Sequence, residues 1–171
     1  MPHPESASSV TTRLRIMLDE HDVAYRHLRH EPTPTSEDSA RVRGEPLEIG
    51  GKALVLKVDG RHVVLVISAA RRLDSKRLKK HLKARSMRFV TPEELLELTD
   101  LVPGSVPPFG RPLLELDLLA DVSVLAQERI AFNAGSLSES IIMSTPDWQS
   151  VSRPREFVEV SSIPPATPLG G

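Results

Sequence analysis

One lysine raises the first chemical question. Lys52 follows Gly50-Gly51 at the mouth of an apolar run, Ala53-Leu54-Val55-Leu56-Lys57-Val58. The glycines before it add no side-chain bulk, so its ammonium is either a solvated strand-end charge or a cation aimed into a cleft. Two glycine-bearing loops lie further on, Gly104-Ser105-Val106-Pro107-Pro108-Phe109-Gly110 and Asn133-Ala134-Gly135-Ser136. Glycine lets main-chain N–H groups come close to a ligand and point at it, although either loop alone also reads as a plain tight turn. A site of this kind works by backbone donors and shape, with no protein nucleophile. The chain has no cysteine, which excludes thiol nucleophiles, disulfides and cysteine metal sites.

Other chemistries find no support. Gly51-Lys52 is followed by Ala53 where a phosphate-binding P-loop needs Ser or Thr, and Pro46 stands where its leading glycine belongs. There is no G-x-G-x-x-G and no G-x-S-x-G, so the usual dinucleotide and α/β-hydrolase readings fall away. The histidines are His3, His21, His27, His30, His62 and His81. His27 and His30 have the spacing of weak metal ligands, but no carboxylate–histidine motif accompanies them, and no metal is expected. No local motif selects a serine–histidine couple.

Charge is distributed unevenly. The net charge is only -1, yet the segment from Arg71 to Arg88 carries Arg71, Arg72, Lys76, Arg77, Lys79, Lys80, Lys83, Arg85 and Arg88 against Asp74 alone. Such a run is either a solvated helix face or a contact surface for nucleic-acid phosphates. Aromatic content of 4% argues against a wide base-stacking platform. The contact expected is therefore to the phosphates of a folded RNA, with no DNA and no membrane partner.

The elements that must position these residues follow from local signals. Two runs rich in β-branched residues, Ile49–Val58 and Arg61–Ile67, flank Asp59-Gly60, a strong hairpin signal. Both runs are apolar at nearly every position, so both faces should be covered and the hairpin central. A first helix is predicted from Thr11 or Thr12, with Val10, Leu14, Met17 and Leu18 on one face. Tyr25–Leu28 reads as a strand. Ser36 is read as the cap of a short helix ended by Gly44, Asp74 as the cap of the cationic helix. Thr91-Pro92-Glu93-Glu94 is a capping box whose helix should bury Leu95, Leu96, Leu98 and Leu101. Strands are expected at Arg88–Val90, Leu113–Leu116, Val122–Leu125, Glu128–Phe132 and Glu139–Met143, and Thr145-Pro146 as the capped start of a last helix. The fold class is α+β, a mixed curved sheet or partial barrel with helices packed outside. Residues 1–8 read as flexible, 9–160 as one domain, and 161–171 as a disordered tail rich in Pro and Gly. No secretory signal and no apolar run of membrane-spanning length is present, which points to the cytoplasm.

Four motifs in this order resemble the YbaK-like aminoacyl-tRNA deacylases, free-standing relatives of the editing insertion of bacterial prolyl-tRNA synthetases. They are His30-Glu31-Pro32-Thr33-Pro34-Thr35-Ser36-Glu37, Gly51-Lys52-Ala53-Leu54-Val55-Leu56-Lys57, Gly104 to Gly110, and Phe132-Asn133-Ala134-Gly135-Ser136. The resemblance implies hydrolysis of a mischarged aminoacyl-tRNA without a cofactor. It places Lys52 on the active site, Gly104 to Pro108 on the terminal adenosine, and Thr33, Thr35 and Asn133 to Ser136 around the aminoacyl group. Ser105, Pro108, Phe109, Ala134 and Ser136 are thus candidate substrate contacts, with Gly104 and Gly135 as candidate oxyanion donors. The wording is most similar to the branch that clears seryl- and threonyl-tRNA. Alanyl- or cysteinyl-tRNA of the proline system, a synthetase partner, or a catalytically silent tRNA-binding module of this fold remain the alternatives.

Overall fold

The computed structural model describes residues 9–164. Along them run α1 (Val10–Glu20), β1 (Tyr25–Arg29), α2 (Ser36–Arg43), a 3-10 turn (Leu47–Ile49), β2 (Gly51–Val58), β3 (Arg61–Ser68) and β4 (Arg72–Leu73). There follow α3 (Ser75–His81), β5 (Met87–Phe89), α4 (Pro92–Thr99), β6 (Asp117–Asp121) and α5 (Val122–Leu125). The chain closes with β7 (Arg129–Asn133), β8 (Glu139–Ser144), α6 (Thr145–Ser152), β9 (Glu156–Val158) and β10 (Ser161–Ser162). The expected flexible segment 1–8 and the last part of the expected tail, 165–171, lie outside the described residues.

The β2–β3 hairpin is the centre of the molecule. Its register runs from Gly51 opposite Ser68 to Val58 opposite Arg61. Asp59 (φ 48°) and Gly60 (φ 83°) both take the left-handed conformation, as a two-residue turn matched to strand twist requires. The Asp59 carboxylate accepts from the N–H groups of Arg85 and Ser86, both at 2.9 Å, which ties the turn to the start of β5. The five-stranded sheet has the order β5-β2-β3-β6-β9, antiparallel at β5-β2-β3 and parallel at β3-β6-β9. A second, antiparallel sheet is ordered β1-β8-β7, and a bridge between Gly50 and Ala131 joins the two. Together they form an open, curved, mixed structure.

Both faces of β3 are buried, as its unbroken apolar run demands. Val64 and Val66 pack with Leu14, Phe109, Phe132 and Trp148 in the main core. Val63, Leu65 and Ile67 pack with Leu56, Leu119 and Leu78 of α3 on the opposite face. The cationic helix α3 therefore lays its single buried leucine on the hairpin and turns its charges outward.

Several local expectations shift. Ser9, not Thr11 or Thr12, caps α1 by accepting from Thr12 N–H at 3.1 Å, because the Thr11 hydroxyl is drawn into the core onto Ala134 O at 2.6 Å. Thr35, one residue before Ser36, caps α2, and Ser144 rather than Thr145 caps α6. Leu113–Leu116 is a turn instead of a strand. Val122–Leu125 is a short helix capped by Asp121, because pairing with β3 selects Asp117–Ala120. Leu96 is 51% exposed rather than buried. Ser161–Ser162, placed in the tail from sequence, instead pairs with β4.

Candidate active site

A cleft of about 200 Å³ opens where the start of β2, the residues leading into α2, the Gly104 loop and the end of β7 converge. Lys52 lines it from the second position of β2. The two glycines before it are sterically required. A Cβ at Gly51 would lie 2.7 Å from the Ile130 side chain, and one at Gly50 would lie 2.8 Å from Ala69 Cβ. Only bare backbone lets β2 begin this close to β7 and to the turn after β3, and that start sets where Lys52 emerges.

Lys52 is partly buried, and among the described residues its Nζ bonds only the Arg71 carbonyl, at 3.5 Å. Among the described residues no carboxylate comes within ion-pairing distance of it. Burial lowers its pKa from the ordinary lysine value; Glu37 opposes the shift and Arg72 adds to it. The ammonium is thus incompletely solvated and has no ion-pairing carboxylate among the described residues, which suits a cation that stabilises negative charge arriving with a ligand.

Thr33 and Ser39 supply a pair of buried hydroxyls on the same cleft, 2.7 Å apart. The Thr33 N–H donates to Leu137 O, which holds the loop against the β7–β8 turn. Thr35 also lines the cleft, but its hydroxyl donates to Asp38 Oδ2 at 2.8 Å while capping α2. Gly104 is exposed, with φ 87°, and its carbonyl accepts from Asn133 Nδ2 at 2.7 Å. Among the described residues none accepts from its N–H, so that donor is open to solvent or to a ligand. Asn133 Oδ1 in turn accepts from Arg43 Nη2 at 3.0 Å, and Arg43 Nε donates to Ser140 Oγ at 2.9 Å.

The structure thus brings Lys52, Gly104, Thr33, Thr35 and Asn133 together on one cleft. The remaining sequence candidates lie beneath the loops. Gly135 donates its N–H to Ser105 O at 2.9 Å, so it is not a free oxyanion donor; its φ of 85° and its contact with Thr11 explain the glycine. Ala134 is fully buried and donates to Glu139 O. The Ser105 hydroxyl donates to Val102 O at 2.7 Å, and Ser136 shares its hydroxyl with Ser138. Pro108 O accepts from Trp148 Nε1 at 2.9 Å, and Phe109 packs edge-on against Phe132 at 5.5 Å. These residues shape and support the loops and do not line the cleft. Reading the sequence missed Ser39 and Arg43. The available signal was Thr35, Ser39 and Arg43 recurring at i, i+4 on one face of α2, a polar stripe that faces the cleft.

His27 pairs with Glu139 at 2.9 Å, and His30 bonds Glu31 O and Ser140 Oγ, so the two rings do not converge on a common ligand. Of the cationic segment, Arg72, Lys76, Lys79, Lys80 and Lys83 reach solvent, and none forms an ion pair among the described residues. Arg71 departs from the expectation: its guanidinium turns inward onto Ser161 Oγ and Ser161 O at 3.1 and 3.0 Å. Arg88 is likewise occupied, forked onto both oxygens of Glu94 at 2.7 and 2.9 Å.

A family model described as the aminoacyl-tRNA editing domain matches residues 30–151, a span that contains every cleft residue named above. The chain belongs to that family. It is 34% identical over 148 residues to the multifunctional Ser/Thr-tRNA deacylase ProXp-y of Escherichia coli, covering 83% of this chain and 87% of that protein. It is 24% identical over 139 residues to the prolyl-tRNA editing protein ProX of Acetoanaerobium sticklandii, covering 78% and 85%. A proline–tRNA ligase of Thermotoga maritima matches at 29% identity, with 76% of this chain aligned to 21% of the ligase. The fold is also that of a crystal structure of a candidate trans-editing enzyme for prolyl tRNA synthetase. That comparison gives a TM-score of 0.77 at 21% identity, covering 92% of this chain and 99% of the other. Among the described residues no helix is long and apolar enough to cross a membrane.

Proposed function

We propose that this chain is a trans-editing hydrolase that removes serine or threonine from mischarged tRNA in the cytoplasm. The observation that carries the reading is the Lys52 ammonium, partly buried and without a carboxylate, sharing a small cleft with the outward-facing Gly104 loop and the Thr33–Ser39 hydroxyl pair. In the reaction, water adds to the ester carbonyl carbon and the bond to the ribose oxygen breaks. That oxygen leaves with a proton, assisted by the neighbouring ribose hydroxyl. Lys52 and the Gly104 N–H stabilise the negative charge that develops, a contribution of about 3 kcal/mol for one such donor elsewhere.

The hydroxyl pair accounts for selection. Two hydroxyls bonded to each other use one of their two protons, so a donor and several lone pairs remain for a substrate hydroxyl. A side chain without a hydroxyl leaves these groups unpaired in a desolvated site, which is costly. The exposed lysines of α3 supply sequence-independent attraction to the tRNA phosphates. The second reading, a silent tRNA-binding module, has no use for an unpaired Lys52 beside Gly104.

The test is to incubate the protein with Ser-, Thr-, Ala-, Cys- and Pro-charged tRNAs and follow ester loss. Seryl and threonyl esters should disappear fastest. Binding of all five without hydrolysis of any would establish the silent module, and hydrolysis of alanyl-tRNA alone would reject the hydroxyl-selection argument.

A further inference from the structure

Arg43, the last residue of α2, has a peculiar set of partners. It is partly buried, and burial lowers its pKa to about 10, so it stays a cation at neutral pH. Yet no Asp or Glu lies within ion-pairing distance of it among the described residues. Its partners are the neutral oxygens Ser140 Oγ and Asn133 Oδ1, at 2.9 and 3.0 Å. Holding an uncompensated charge away from water is unfavourable, so what this arginine contributes is the direction of its N–H groups.

That direction has one consequence. A guanidinium only donates, so the oxygen of the Asn133 amide must face Arg43. The amide NH2 must then face the other way, where it meets the Gly104 carbonyl at 2.7 Å. Flipped by half a turn, the amide would set its NH2 against the guanidinium and its oxygen against the Gly104 carbonyl, two repulsive pairings in place of two bonds. The far end of the network follows the same logic. Glu31 O can only accept, so at 2.7 Å it takes the Nδ1–H of His30, whose Nε2 lies 2.8 Å from Ser140 Oγ. Ser140 Oγ accepts from Arg43 Nε at 2.9 Å and is itself within 3.5 Å of Asn133 Oδ1, to which its proton points. The network thus runs from the fork of Arg43 through Asn133 to the loop on one side and through Ser140 to His30 on the other.

We infer that Arg43 is a positioning residue for the deacylation reaction: its fork sets the Asn133 amide, which ties the Gly104 loop in place across the cleft from Lys52. The inference rests on the deacylase reading given above. In this role Arg43 acts through Asn133 and not through the substrate, although it also borders the cleft. A lysine cannot replace it, because an ammonium has no planar fork with which to serve Ser140 and Asn133 together.

Arg43→Met, Arg43→Lys and Asn133→Asp test this with two readouts: steady-state deacylation of seryl-tRNA, and amide hydrogen exchange of the peptide spanning 103–106. Arg43→Met should lower kcat about 10- to 100-fold, the range expected when a reacting group is displaced by about 1 Å. KM should hold, since substrate contacts remain, and exchange at 103–106 should rise. Arg43→Lys should not restore the rate. Asn133→Asp keeps an acceptor for Arg43 but has no proton for Gly104 O, so it should reproduce both effects and carries the test if Arg43→Met fails to fold. Unchanged exchange at 103–106 in Arg43→Met, or full rescue by Arg43→Lys, would overturn the assignment. If the unaltered protein hydrolyses no aminoacyl-tRNA, the deacylase reading fails by itself, and the exchange measurement still decides whether Arg43 holds the loop.

Discussion

Asp121→Asn probes the support behind Lys52. Asp121 ends β6 with 0% exposure, and its carboxylate accepts from Ser123 N–H at 3.0 Å, Val160 N–H at 2.8 Å and Ser161 Oγ–H at 2.7 Å. Through Ser161 it anchors β10, which grips the Arg71 guanidinium; the Arg71 carbonyl is the partner of Lys52 Nζ. Asparagine has nearly the same shape but must turn its NH2 toward a donor. The least unfavourable orientation leaves the Val160 N–H facing another donor and keeps the oxygen for Ser123 and Ser161. One orphaned buried N–H, with two charge-assisted bonds reduced to neutral ones, totals about 3 kcal/mol of lost stability. Urea unfolding at pH 7 should show it as a lower midpoint at constant slope.

The pH dependence follows from the carboxylate's shift. Burial pushes the Asp121 pKa up, but the hydrogen bonds from Ser123, Ser161 and Val160 outweigh it, so the folded value lies below the ordinary 3.8. Its charge therefore adds stability that is complete above pH 3.8 and is lost as pH falls through the lower folded value. The gap between the parent protein and Asp121→Asn should narrow in strong acid. A gap under about 0.5 kcal/mol at pH 7, the scatter of ordinary surface substitutions, or one that widens in acid, would refute the reasoning.

Two further outcomes are expected. A cation about 4 Å from a developing negative charge is worth about 4 kcal/mol at an effective dielectric constant of about 20, and part of that is recovered by water. Lys52→Met should thus lower the deacylation kcat about 100-fold. In the parent, activity should begin to decline with rising pH below the ordinary lysine value of 10.5, because burial makes the ammonium easier to deprotonate; an unchanged rate in Lys52→Met removes Lys52 from the chemistry. Replacing Lys76, Lys79, Lys80 and Lys83 by Glu should weaken tRNA binding and flatten its dependence on salt, by about 0.9 in the log–log slope for each phosphate no longer neutralised. Equal slopes for the two proteins would show that α3 faces only solvent.

What could be read without the structure was whatever neighbouring residues settle among themselves. The β2–β3 hairpin is specified by Asp59-Gly60 and two apolar runs, and the turn conformation depends on nothing distant. The Thr91–Glu94 capping box, the Asp74 cap and the left-handed Gly44 at the end of α2 are local in the same sense. Caps slipped by a residue where two Ser or Thr stand side by side, and at α1 the deciding partner was remote: Thr11 is claimed by Ala134, 123 positions away. Lys52 and Gly104 were visible because their neighbours, twin glycines and a proline-rich loop, are unusual.

The division of the loop residues was not visible. From sequence, Asn133 and Gly135 look alike as members of one small-residue turn. Only the folded chain turns Asn133 toward the cleft and spends the Gly135 amide on Ser105. Arg43 and Ser39 sat inside a helix whose face has no meaning until β8 and β2 pack beside it. Ser161 read as tail until Asp121 and Arg71 arrived to bond it. The chain by itself therefore determined its hairpin, its helix stops and the lysine of its cleft, since a few adjacent dihedral angles and side chains decide those. Which polar groups face a ligand and which are consumed by each other was decided by the tertiary structure, because a hydrogen bond between residues 90 positions apart exists only once the sheets have closed around it.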